Sequence, residues 1–82
     1  MTISTDVVWE DGTPTESQNT EIFAQATAMT NAGKTDGTYN VQQGVPISNQ
    51  RTTTRTWTTT ADAEEWVAFI LTYNPVSAEI IP

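Results

Sequence analysis

The sequence predicts one α+β domain over residues 1–82, a four-stranded antiparallel sheet with both helices on one face. Three observations predict it. Apolar residues alternate with period two near both ends, two stretches between carry helix caps and helical stripes, and a threonine-rich extended run sits in the middle. The element order is β-α-β-β-α-β.

Residues 2–10 alternate, with Ile3, Thr5, Val7 and Trp9 on one face and Ser4, Asp6, Val8 and Glu10 on the other, which is a strand pattern ended by Asp11-Gly12. A helix is expected over 14–32. Thr13 is its cap, Pro14 its first position, and Glu16 closes a capping box. Its apolar stripe is Ile22, Phe23, Ala26 and Met29, and Gly33 is the expected residue just past its end. Thr38–Gln43 alternate again, with Tyr39 and Val41 on one face, and 44–50 is rich in turn residues, so a hairpin is expected there. It leads into the strand-forming run Arg51–Thr59.

Thr60 is the expected cap of a second helix, with Asp62, Glu64 and Glu65 near its start, where the helix dipole favours negative charge. Ala63, Trp66, Val67 and Ile70 form its buried face, with Phe69 pointing elsewhere. Asn74-Pro75 stops it, and Val76–Ile81 alternate as a last strand.

This order resembles the ferredoxin-like fold, a resemblance of topology over the whole chain that carries no functional motif. It would make the threonine run a central strand, and there the pattern is awkward. One face carries Thr52, Thr54, Thr56 and Thr58, the other Arg51, Thr53, Arg55 and Trp57. If the threonines face the helices, Trp57 and both arginines lie on the open side. If Trp57 faces the helices, Arg51 must escape at the strand end and Arg55 needs a carboxylate partner. A bulge near 52–56 would reconcile the two.

Composition bounds the function. Ten carboxylates against Lys34, Arg51 and Arg55 give a formal charge of −7. That balance argues against nucleic acid and against an anionic membrane surface, and it suits solubility or a cationic partner. With no cysteine and no histidine, the Ser–His, Cys–His and thiolate–imidazole zinc systems are excluded. No catalytic, cofactor-binding or metal site is expected. Asp6, Glu10, Asp11 and Glu16 are close in sequence but match no calcium-loop spacing. No apolar run approaches the ~18 residues of a membrane span. The first residues lack a basic start and an apolar core, so no secretion signal is expected, and the expected location is cytoplasmic or virion-associated.

A domain this short buries only about 60–65 % of its unfolded surface, so association would help it. With helices on one side, the other sheet face is expected to meet a second copy, giving a homodimer or higher homo-oligomer. The contact residues expected are Val8, Trp57, Phe69 and Ile81, with Arg51 and Arg55 pairing carboxylates across the interface. Seventeen threonines, seven of them between Thr52 and Thr60, fit a half-wet strand or a sheet pairing with another.

Two further resemblances bear on function. RTWTTTADAEEWVAFI is similar to the strand-then-helix segment of cofactor-free monooxygenases among the dimeric α+β barrels. That implies the alternative reading, a small enzyme or ligand-binding barrel with Tyr39 and Trp57 lining a pocket. In size, low charge, lack of Cys and His, and abundance of Thr, Ala, Asn and Gln, the chain resembles small uncharacterised proteins of marine tailed phages. That implies a non-enzymatic, virion-associated or accessory role.

Overall fold

The computed structural model describes residues 2–34 and 51–82, except for the side chain of Arg51. Within them the order is β1 (Ile3–Trp9), α1 (Glu16–Asn31), β2 (Arg51–Trp57), α2 (Thr60–Leu71) and β3 (Ser77–Ile81). β1 follows from its alternation: every odd residue from Ile3 to Trp9 is buried, and every even one between them is half-exposed.

The sheet corrects the expected architecture. It is three-stranded and antiparallel, in the order β2-β1-β3, so the described chain is α+β but not a four-stranded ferredoxin-like sheet. β1 is the middle strand. It pairs with β2 from Ile3↔Trp57 to Trp9↔Arg51, and with β3 from Ser4↔Ile81 to Val8↔Ser77. A central place for the threonine strand required a partner on each side; among the described residues its partner is β1 alone. The strand expected over 38–43 and the hairpin over 44–50 lie outside the described residues.

Both helix caps sit slightly away from their expected places. α1 begins two residues later than the Thr13-Pro14 reading. Thr15 caps it, its hydroxyl accepting from Gln18 N, while the Gln18 side chain accepts from Thr15 N at 2.8 Å. Thr13 instead closes the preceding turn, donating through N and Oγ1 to Glu10 O at 3.0 and 2.8 Å. α2 is capped by Thr59 rather than Thr60, with Asp62 N donating to its hydroxyl. The end of α1 is as expected. Gly33 holds φ +76°, Gly33 N donates to Thr30 O and Lys34 N to Met29 O, the paired bonds of a Schellman motif. Asn74, at φ 53°, turns the chain between α2 and β3.

The core gathers Ile3, Val7 and Trp9 of β1 with Trp57 of β2, Ile22, Ala26 and Met29 of α1, and Ala63, Trp66 and Ile70 of α2. Both helices therefore cover the odd-numbered face of β1. Burying three indoles is how a short chain with few aliphatic residues finds enough apolar area. Each of the two indoles in the sheet needs an acceptor, and a buried threonine provides it. Trp57 Nε1 donates to Thr5 Oγ1 and Trp9 Nε1 to Thr53 Oγ1, both at 3.1 Å.

Candidate interaction surface

The two sides of β2 settle where the expected contact residues lie. Trp57 faces the helices at 1 % exposure, with its ring centroid 5.3 Å from that of Trp66. It is a core residue and is not on the open sheet face. Arg55 follows it inward at 7 % exposure. The guanidinium Nη2 donates to Thr30 Oγ1 at 2.6 Å and its carbon lies 5.9 Å from the Trp57 ring centroid. The structure thus gives Arg55 a hydroxyl on α1 and an aromatic face, within the range of a cation–π contact. Phe69, expected to point away, is half-buried against the core, stacked between Trp66 (5.9 Å) and Tyr73 (5.3 Å, edge-on). The Arg51 side chain and Tyr39 lie outside the described residues.

The uncovered sheet face is more polar than expected. β2 contributes Thr52, Thr54 and Thr56; opposite them on β1 stand Val8, Asp6 and Ser4. Thr54 Oγ1 donates to Asp6 Oδ1 at 2.8 Å. On the other side Asp6 stands directly across from Glu79, two like charges in register, an arrangement that costs stability. Of the apolar residues expected here, Val8 is half-buried and Ile81 is 42 % exposed.

Apart from Ile81, the exposed large apolar residues lie elsewhere. The exposed large apolar residues of the described chain are Leu71, Val76 and Ile81, at 52, 50 and 42 %. The half-buried residues packed on the rim of the core are Phe69, Tyr73, Ala78 and Ile80. All seven fall between positions 69 and 81, on the end of α2, the turn and β3, and α2 packs against β3. Leu71 and Val76 were missed in the sequence. The available signal was charge: from residue 66 to 82 the chain carries Glu79 and no other Asp, Glu, Lys or Arg.

Polar contacts tie this flank to the rest of the molecule. Tyr73 Oη donates to Glu21 Oε2 at 2.7 Å, joining the turn after α2 to α1. Desolvation first, then this bond and the Glu21 charge, push the phenol up to about 12. The phenol therefore stays protonated near neutral pH, as a donor and not a general base. Its folded value lies above the unfolded value of about 10, so whatever stability it contributes is whole below pH ~10 and is lost as pH rises toward 12. In a Tyr39→Phe background, ultraviolet titration should show Tyr73 ionising about two units late, and Glu21→Gln should move that midpoint down. An unshifted midpoint would dismiss the contact. At the opposite end Lys34 Nζ meets Glu65 Oε2 at 2.6 Å, and this hydrogen bond raises the lysine pKa. Lys34 O accepts from both N and Oγ1 of Thr58, joining the end of α1 to the start of α2.

Among the described residues no three His, Cys, Asp or Glu side chains gather as metal ligands, and Glu10 and Asp11 are exposed. No described helix is long and apolar enough to cross a membrane. Comparison of the chain with protein-family models, with curated proteins and with solved structures found no match.

Proposed function

We propose that the chain is a non-enzymatic structural or interaction protein that self-associates through its sheet. The observation that carries this reading is the apolar flank. A domain of 82 residues that buries three tryptophans still leaves Leu71, Val76 and Ile81 exposed, together with four half-buried apolar neighbours. Falling together between positions 69 and 81, with Ala78 and Ile80 on the helix side of β3 and Ile81 on its open side, such residues offer a contact surface along β3. The pocket of the enzyme reading loses Trp57, which fills the core instead of lining a cavity. The composition, with abundant threonine and no cysteine or histidine, supports a virion-associated or accessory role of phage type.

Sedimentation equilibrium over a wide concentration range tests the reading. A dimer or higher species that dissociates on dilution is the expected result, and a stable monomer at the highest concentration would end the proposal.

A further inference from the structure

We propose that a second copy of the chain adds to the outer edge of β3, antiparallel, about a two-fold axis perpendicular to the sheet and in a register centred on Ala78. The inference rests on the self-association reading and names its route.

Three observations converge on this edge. First, β3 is paired on one side with β1, and no described strand lies on its other side. The backbone groups along such an edge are a template for another strand. Second, the incomplete burial lies here. Ala78 and Ile80 face the helices as Val7 and Ile3 do, yet they stay half-exposed while Val7 and Ile3 are closed. A strand added beside β3, bringing its own helices, would extend that core over them. Leu71 and Val76, which precede β3 in the chain, are exposed too, and Ile81 is exposed on the open face of β3. Third, Glu79 is the sole charged side chain from 66 to 82, so two copies of formal charge −7 bring few like charges together along this edge. Stacking the open faces would instead bring Asp6 and Glu79 of one copy against those of the other.

The register follows from parity, charge and overlap, since a centre on Ser77 would set Ile80 against Asn74, before the strand begins. With the helices of both copies on one side of a continuous sheet, paired residues must share a face, so their numbers sum to an even value. A register centred on Glu79 would set two carboxylates directly opposite. One centred on Ile80 would set Glu79 against Ile81. Centring on Ala78 pairs Ser77 with Glu79, hydroxyl to carboxylate, and Val76 with Ile80, apolar to apolar.

The chain has no cysteine, so engineered thiols report this pairing without background. Ser77 and Glu79 are exposed, and residues directly opposite in an antiparallel pair have Cα atoms about 4.5–5.5 Å apart, within disulfide reach. Ser77→Cys and Glu79→Cys proteins are oxidised mildly, separately and mixed, and covalent dimers are counted by non-reducing electrophoresis. Each variant is also run in sedimentation equilibrium under reducing conditions. Expected is efficient linkage in the mixture and little in either variant alone. Linkage of Glu79→Cys with itself, no better in the mixture, would overturn the register. A dimer in sedimentation with no linkage in any sample would overturn the edge while leaving self-association standing. A monomer in sedimentation would take down both.

Discussion

Replacing Trp57 with alanine should cost about 3–5 kcal/mol, the range for removing a large aromatic side chain from a packed core. The ring is 1 % exposed, tilted against Trp66, bonded through Nε1 to Thr5, and within cation–π range of the Arg55 guanidinium. Truncation leaves a cavity, removes the donor to Thr5 and uncovers a charged group that is itself buried. Small domains have only about 5–15 kcal/mol in total, so much of the variant is expected to be unfolded without denaturant. The measurement is the denaturation midpoint followed by the fluorescence of the remaining two tryptophans and by circular dichroism. Trp57→Phe, which keeps a ring in place, should remain folded and associate as the parent does. A Trp57→Ala protein that loses less than about 1 kcal/mol, or a Trp57→Phe protein that stays folded but no longer associates, would return Trp57 to the surface and undo its place in the core.

How much of this was legible depended on whether a residue's neighbours in sequence were also its neighbours in energy. β1 could be read almost to the residue, because its alternation is a direct record of one buried face. The caps were ambiguous for a local reason. Thr13 and Thr15 are each followed three residues later by a residue that can close a capping box, Glu16 and Gln18, and only the turn through Gly12 at φ +82° decides between them. The threonine strand was unreadable locally, since neither face looks like a core. What resolves it is a motif shared by the two paired strands. Thr5-x-x-x-Trp9 and Thr53-x-x-x-Trp57 have the same spacing, and the antiparallel register sets each tryptophan two residues along from the threonine that accepts its proton. Two buried threonines that look wasteful on one strand are acceptors for indoles, each on the other strand. The polar character of the open face was written in the sequence; the expectation of an apolar one gave Val8 and Ile81 more weight than Asp6, Glu79 and three threonines. Leu71 and Val76 were missed because exposure is a tertiary property. A leucine at the end of an apolar helix looks the same whether or not something lies over it. The four-stranded expectation counted a strand read from the alternation of 38–43 and took its place in the sheet from the ferredoxin-like order; 38–43 lies outside the described residues, and the described sheet has three strands with β1 in the middle.

Thr5→Val and Thr53→Val should each cost about 1–3 kcal/mol, although neither changes the shape of the core. Valine matches threonine in branching and volume and suits a strand equally well, so packing and propensity are held nearly constant. What is lost is the acceptor. Trp57 Nε1 and Trp9 Nε1 each donate to a threonine hydroxyl at 3.1 Å, both tryptophans and both threonines are 2 % exposed or less, and water cannot easily replace the missing oxygen. The Thr5 hydroxyl also reaches Arg55 O at 3.4 Å, so of the two changes Thr5→Val should be slightly the more costly. A double-mutant cycle separates this from ordinary core damage. In a Trp57→Phe background the indole donor is already gone, and Thr5→Val should then cost markedly less than it does alone, because no donor is left to orphan. The same holds for Thr53→Val in a Trp9→Phe background. Chemical denaturation of the four single and two double variants reads both couplings. Simple additivity would mean that the indoles find other acceptors, and that the repeated threonine–tryptophan spacing of β1 and β2 is a coincidence of composition rather than the device that admits two large polar-edged rings to so small a core.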